Sequence, residues 1–181
     1  ETATTKQSST TVKETTTSNS IYFHLVEGTE ATNIKKLLGI DVNKSYWLLS
    51  WNPENWEWVD YDDCCRKTKS GGTHIEPHTC HSTKPRIGDE VFLMKTGKKE
   101  PKGIIAHGTV VKESYTAPHY DSDKAEQGVT KAYIDASYDC ILNYKTEPIL
   151  DIKTLKDNLP KQDWSPQSSG IEIKENIEQL L

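Results

Sequence analysis

The run Ser45-Tyr46-Trp47-Leu48-Leu49-Ser50-Trp51 predicts a β-strand, because aromatic and apolar residues dominate it and Asn52-Pro53 ends it. Three further strands are predicted downstream, at Glu90–Lys95, Gly103–Val111 and Tyr133–Leu142. The glycines of the strand predicted at Gly103–Val111 suit a bulge or a close backbone approach. Short helices are predicted at Asp151–Asn158 and Lys174–Leu181. Mostly antiparallel strands with short helices favour a β-rich α+β domain built as a small open barrel.

The stretch before this domain has a different composition. Twelve of the first twenty residues are Ser or Thr, and the only large apolar residue among them is Val12. Such a segment predicts a disordered linker, because it cannot bury enough apolar surface to offset its ordering entropy. Residues 21–44 predict a short strand and helix whose attachment is left open, and residues 45–181 form the predicted domain. The chain begins with Glu1 rather than Met, which indicates a piece of a longer polypeptide.

Composition and charge restrict the class of protein. The chain is 34% hydrophobic and contains no apolar run of the ~20 residues that a membrane span needs, so a cytoplasmic protein is expected. The net charge is −5, yet residues 64–112 hold ten Lys and Arg against four Asp and Glu, a local charge of +6. This basic third is suited to phosphate contacts, although clustered lysines also occur on ordinary solvated surfaces.

The four cysteines leave two interpretations open. Cys64 and Cys65 are adjacent, which is poor geometry for a disulfide or a zinc ion. Cys80 and three histidines add the right ligand types without a C-x-x-C pair, namely His74, His78 and His81. Reduced cytosolic thiols without a metal are the favoured interpretation, with zinc binding as the alternative.

Catalytic motifs are missing from the sequence. There is no G-x-S-x-G elbow, Walker-type loop, H-E-x-x-H or Rossmann fingerprint. The pair Gly71-Gly72 follows basic residues but lacks the G-K-[ST] ending, so it resembles a loop that approaches phosphates rather than a P-loop. We therefore expect a domain without enzymatic activity and without a cofactor.

The tryptophans are unusually clustered. Four of the five lie within twelve residues, and we expect Trp47, on the strand, to pack in the core. Trp51, Trp56 and Trp58 lie at the strand end and in a polar loop, where their rings can form a slot that stacks a planar base, worth about 1–3 kcal/mol per base. A base extruded from a duplex also needs polar partners for its edge. The candidates are Ser50, Asn52, Asp60, Ser165 and Gln167.

Five ordered blocks, at residues 45–58, 71–73, 84–95, 101–110 and 164–173, resemble the EVE domain of the PUA-like superfamily. The first reads S-Y-W-L-L-S-W-N-P-E-N-W-E-W and the last W-S-P-Q-S-S-G-I-E-I. The EVE domains in question are attached to modification-dependent restriction endonucleases. The resemblance implies a PUA-like pseudo-barrel of five or six mostly antiparallel strands with short peripheral helices. It also implies a non-catalytic reader that flips a modified base of double-stranded DNA, most often 5-methylcytosine or 5-hydroxymethylcytosine, into an aromatic pocket.

The resemblance further implies roles for individual residues. The base pocket would consist of Ser50, Trp51, Asn52, Trp56, Trp58, Asp60, Trp164, Ser165 and Gln167, together with His78, which stands where family members tend to carry an aromatic residue. The nucleic-acid backbone would lie against Arg66, Lys67, Lys69, Gly72, Thr73, Lys84, Arg86, Lys98 and Lys99. Cleavage would belong to a nuclease or NTPase domain, in cis or in trans, of a restriction or defence system.

Two other functions remain open at this point. One is a reader of a modified base in RNA, like the related YTH domains. The other is a protein-interaction domain whose tryptophans are core residues, in which case replacing Trp51 or Trp56 by alanine would unfold the domain.

Overall fold

The strand predicted at the start of the domain is present as β1 (Tyr46–Trp51) in a computed structural model that describes residues 44–175 and 177. The other elements follow in chain order: α1 (Tyr61–Lys69), β2 (His74–Thr79), β3 (Glu90–Lys95), β4 (Gly103–Pro118), α2 (Ser122–Glu126), β5 (Thr130–Ile141), β6 (Leu150–Asp151), α3 (Ile152–Asn158) and β7 (Ile171–Ile173). The predictions for residues 1–43, and most of the helix predicted over residues 174–181, lie outside the described residues. None of the described helices is long and apolar enough to cross a membrane.

The strands form one mixed sheet in the order β2-β5-β4-β3-β1-β7, with β6 paired to β4. β1 and β3 run parallel, with Leu49 opposite Leu93, and the other pairings are antiparallel. The two ends of this path do not pair, so the sheet is not closed. The expected β-rich α+β class is confirmed. The sheet has seven strands rather than five or six because two very short strands, β6 and β7, add to it.

Both faces of β1 and β3 are buried, which explains their nearly continuous apolar sequences. Alternate residues point to opposite faces. Trp47 and Leu49 therefore pack with Val91 and Leu93 in a first core under α1. Leu48 packs in a second core on the other face, with Phe92, Met94, Leu155 and Trp164. Trp47 is 3% exposed, as its position on the strand predicted.

A buried carboxylate fixes the start of β1 and β3. Asp89 accepts hydrogen bonds from the Trp47 indole Nε1 at 2.9 Å, from the Ser45 backbone N–H at 3.2 Å and from the Arg86 backbone N–H at 2.9 Å. These hydrogen bonds connect the turn before β3 to the start of β1.

The central hairpin is longer than the sequence predicted. β4 reaches Pro118 and β5 begins at Thr130, so residues 112–135 continue the hairpin beyond the end of β3, while Tyr133–Asp135 still pair with β2; we call this segment the hairpin arm. The register shifts between His107 and Gly108. A Cβ on Gly108 would lie 2.5 Å from the Ser137 carbonyl oxygen, so the close approach expected from the glycines of this strand is present.

An ion-pair network crosses the neighbouring strands β3, β4 and β5. His107 contacts Glu90 through Nε2 at 3.2 Å and Asp139 through Nδ1 at 2.8 Å. The hydrogen bond to Asp139, followed by that to Glu90, raises the pKa of His107 to about 9. The hydrogen bond from His107, supported by Lys44, lowers the pKa of Glu90 to about 2. His107 is therefore protonated at neutral pH and donates from both ring nitrogens.

Candidate functional site

A cleft with a volume of about 1020 Å³ opens at the end of β1, and we call it the aromatic cleft. Four segments and Thr96, the residue after β3, line it; the segments are residues 50–56, β2 with the residues after it, the hairpin arm, and the loop 166–169. Two backbone N–H groups hold loop 166–169 in place: the Ser50 N–H donates to the Ser169 side-chain Oγ at 3.0 Å, and the His81 N–H donates to the Ser169 carbonyl at 2.8 Å. The volume is at the upper end of the range typical of ligand sites, about 300–1,000 Å³.

One tryptophan forms an accessible wall of this cleft. Trp56 is partly exposed and lines the cleft, whereas Trp51 lines it but is only 4% exposed. Trp58, 5% exposed, lies behind them: its ring is 5.8 Å from that of Trp56 with an interplanar angle of 23°. The Trp51 indole Nε1 donates to the Trp56 carbonyl at 3.0 Å, which fixes the loop between the two residues. Trp51 and Trp58 therefore support Trp56, and of these three tryptophans Trp56 is the one with a partly exposed side chain.

Two buried polar atoms in the lining have no hydrogen-bond partner among the described residues. They are Ser50 Oγ, at the end of β1, and His78 Nε2, on β2. Burial, with a smaller contribution from His74, lowers the pKa of His78 to about 3, so its imidazole is neutral at physiological pH. Its ring lies 5.8 Å from that of Trp56, edge to face. Unpaired buried polar groups each cost about 1–3 kcal/mol, so these two atoms mark a place where a ligand can supply the missing bonds.

The structure brings six of the ten candidate pocket residues to the aromatic cleft. These are Ser50, Trp51, Asn52, Trp56, His78 and Gln167. The other four lie elsewhere. Trp58 is behind the wall, Asp60 is exposed at the N-cap of α1, and Ser165 points to solvent. Trp164 is 1% exposed in the second core and donates from Nε1 to the Leu159 carbonyl at 3.0 Å, so its role in this fold is packing.

None of the nine candidate backbone-binding residues lines the cleft. Arg66, Lys67 and Lys69 lie in the last turn of α1, where Lys69 pairs with Glu147 and Arg66 with Asp63. Arg86 donates to the Thr83 and Pro85 carbonyls. Among the described residues of the lining, the Lys or Arg present is Lys131 on the hairpin arm, which lies over the Tyr120 ring at 5.5 Å.

Sequence reasoning missed the contribution of the hairpin arm. Tyr115 and Tyr133 stack across it with ring centroids 6.0 Å apart, and both line the cleft together with Tyr120. The alternation of residues 133–142 identified β5, but no sequence signal showed how far β4 and β5 continue as a pair.

The cysteines and histidines separate into two groups. All four cysteines are unpaired. His78, Cys80 and His81 line the aromatic cleft, so they do not join the other residues of the zinc alternative. Cys64 and His74 instead lie with Asp60, and their ligand atoms are within 4.8 Å of one another. Burial, followed by the neighbouring Asp60, raises the pKa of Cys64 to about 12.

Fold and site together define a β-rich domain with a ligand-sized, aromatic cleft. The chain belongs to the EVE domain family, whose model matches residues 45–176, and this confirms the resemblance seen in the five sequence blocks. Among solved structures, the crystal structure of human THYN1 in complex with 5-methylcytosine-containing DNA is similar at 14% identity and a TM-score of 0.44, covering 76% of this chain and 95% of that one. The crystal structure of the protein Atu2648 from Agrobacterium tumefaciens is similar at 18% identity and a TM-score of 0.41, covering 72% and 86%. No curated protein matches the chain.

Proposed function

We propose that this domain reads a modified base in double-stranded DNA by taking the flipped base into the aromatic cleft. The proposal rests on three features that occur together in the aromatic cleft. Trp56 offers a free aromatic face, and Ser50 Oγ and His78 Nε2 are buried polar atoms that lack partners among the described residues. A flipped base needs both a stacking surface and hydrogen bonds to its edge.

The neutral state of His78 suits this role. A neutral imidazole presents one donor or one acceptor at Nε2, whereas a charged one would have to be buried at high cost. Ser50 Oγ can donate and accept. The two groups can therefore match the mixed donors and acceptors of a nucleobase edge. We propose a cytosine modified at position 5, either 5-methylcytosine or 5-hydroxymethylcytosine, as the base.

We place any cleavage in another domain. EVE domains are generally non-catalytic binding domains, and burial raises the pKa of the Cys80 thiol in the cleft, which disfavours a nucleophilic thiolate. A nuclease or NTPase of a restriction or defence system, attached or separate, is the partner we propose. The free thiols fit a reducing, cytoplasmic setting. We also propose the domain boundaries 1–20, 21–44 and 45–181, with the first segment a linker.

We propose phosphate contacts for one basic residue of the cleft lining and for basic residues outside the lining. Lys131 on the hairpin arm is the first candidate, because it is the cation of the described lining. The basic turn of α1 and the residues after it, Gly72 and Thr73, remain candidates together with Lys84, Arg86, Lys98 and Lys99. Each phosphate contact that is lost should reduce the salt dependence of binding.

The test is fluorescence-anisotropy binding of matched duplexes that carry cytosine, 5-methylcytosine, 5-hydroxymethylcytosine or 6-methyladenine at one position. Measurements at about 50 and 150 mM salt report the phosphate contribution. Preference for one 5-modified cytosine duplex, with affinity falling as salt rises, supports the proposal. Equal affinity for all four duplexes contradicts it. Tighter binding of a single-stranded RNA with the same modified base would assign the cleft to RNA instead.

A further inference from the structure

Three metal-ligating side chains meet beside the first turn of α1, outside the aromatic cleft. Asp60 and Cys64 are four residues apart and so share one side of this turn, and His74 begins the neighbouring strand β2. Their ligand atoms all lie within 4.8 Å of one another. The ligand atoms of a tetrahedral zinc site lie about 3.5 Å apart. The three ligand atoms would therefore have to approach one another by roughly 1 Å to bind the ion. Asp60 is exposed, and its carboxylate makes no capping bond to the backbone of α1.

The charge around this cluster favours a cation. Glu76 lies beside the His74 ring, with 2.8 Å between Oε2 and Nε2, and both side chains are 16% exposed. Among the described residues, no Lys or Arg forms an ion pair with Asp60 or Glu76. Two carboxylates therefore stand next to a thiol and an imidazole, and no Lys or Arg of the described residues pairs with either carboxylate.

A second, independent observation comes from Trp58. Its indole Nε1 is buried and lacks a hydrogen-bond acceptor among the described residues. It lies beside Cys64, and its ring is 5.9 Å from that of His74. A metal-bound thiolate would accept this N–H, which the neutral thiol leaves unsatisfied.

We propose that Asp60, Cys64 and His74 bind a divalent transition-metal ion, with zinc the best match. Mixed sulfur, nitrogen and oxygen ligands in a tetrahedral arrangement suit Zn²⁺, and three protein ligands leave a fourth position for water. Glu76 holds the His74 ring as an outer-shell carboxylate, and Trp58 donates to the thiolate. On binding, the ion displaces the thiol proton to solvent. The ion would connect α1 to β2 behind the aromatic wall, and its presence does not depend on what the cleft binds.

The test is a Co²⁺ titration of the metal-free 181-residue chain, because a thiolate ligand produces a sulfur-to-cobalt charge-transfer band. We expect one equivalent of Co²⁺ to produce this band and Zn²⁺ to remove it. Cys64→Ser should abolish the band. Asp60→Asn, at an exposed position, should weaken Co²⁺ binding at least tenfold, and Glu76→Gln should weaken it about 10- to 100-fold.

Cys140→Ser is the matched control, because Cys140 is the exposed thiol and lies outside the cluster. It should leave the band and the affinity unchanged. Circular dichroism checks that each variant is folded, and Asp60→Asn keeps the test decisive if Cys64→Ser unfolds. A wild-type chain without the charge-transfer band overturns the proposal. A band that survives Asp60→Asn at full affinity, or that disappears in Cys140→Ser, overturns it as well.

Discussion

Replacing Trp56 by alanine tests the aromatic cleft, because Trp56 is the tryptophan with free ring surface in the lining. If a flipped base stacks on this indole, its loss should cost about 1–3 kcal/mol of binding free energy. That corresponds to a rise in Kd of about 5- to 150-fold. The free energy of unfolding should fall by less than the roughly 3–5 kcal/mol expected for a fully buried tryptophan, since Trp56 is only partly buried.

Two measurements on the same protein samples separate binding from folding. Anisotropy with the preferred duplex gives Kd, and urea denaturation gives the free energy of unfolding. Trp51→Ala is the contrasting variant: Trp51 is 4% exposed and contacts the rings of Trp56, Trp58 and Tyr61, so we expect it to lose about 3–5 kcal/mol of stability. Trp56→Phe should recover part of the affinity by restoring an aromatic face.

Stacking of the base on Trp56 is refuted if Trp56→Ala binds the modified duplex as tightly as the wild type while remaining folded. It is equally refuted if Trp56→Ala unfolds the domain as Trp51→Ala does, because Trp56 would then be a core residue. The second outcome would favour the protein-interaction function over the reader function.

Three further predictions concern single side chains. Ser50→Ala should keep or raise stability, by up to about 1–3 kcal/mol, because it removes a buried hydroxyl that has no partner among the described residues. It should also raise the Kd for the modified duplex about 2- to 12-fold; unchanged affinity would remove Ser50 from the site. The pKa of His107 is raised to about 9, so the contribution of this residue to the free energy of unfolding is fully present below about pH 6.5 and is lost as pH rises through about 9. The pKa of Glu90 is lowered to about 2, so the contribution of Glu90 is present above about pH 4.5 and is lost as pH falls toward 2. After discounting for solvent screening, we expect His107→Gln to remove about 1–2 kcal/mol at pH 6 and little at pH 10, measured by urea denaturation; an equal loss at both values would contradict the ion-pair account. Asp89→Ala should cost about 2–3 kcal/mol, because it leaves the buried Trp47 indole N–H without its acceptor, and a melting temperature equal to that of the wild type would contradict this.

The sequence predicted those strands that can be identified from the pattern of their own residues. β1 and β3 are apolar on both faces, and β5 alternates, so local pattern and tertiary burial agree. Helix α1 was missed because its buried face is made of Tyr61, Cys64, Cys65 and Thr68, which do not stand out as an apolar stripe. Strand β2 was missed because it is an edge strand of mostly polar residues with Pro77 in its middle, and its pairing with β5 comes from tertiary context.

For the site as well, the sequence predicted what depends on local residues and missed what depends on tertiary packing. The cluster of tryptophans pointed to the correct region of the chain, but which ring faces the cleft depends on how residues 52–60 pack against β2 and α1. Trp51 and Trp58 are directed into the core and Trp56 is not, although all three have similar sequence neighbours. Trp164 lies near Gln167 in sequence, yet it packs in the second core while Gln167 lines the cleft.

The most direct test of base flipping is the imino proton resonance of the guanine opposite 5-methylcytosine in a short duplex, followed by NMR as the protein is added. A paired guanine keeps its imino proton protected from exchange, and flipping the cytosine removes that pair. Base flipping into the aromatic cleft predicts that this one resonance disappears on binding while those of the neighbouring pairs persist, and that it remains with Trp56→Ala. A resonance that persists in the saturated wild-type complex would contradict flipping and leave a protein that binds the intact duplex.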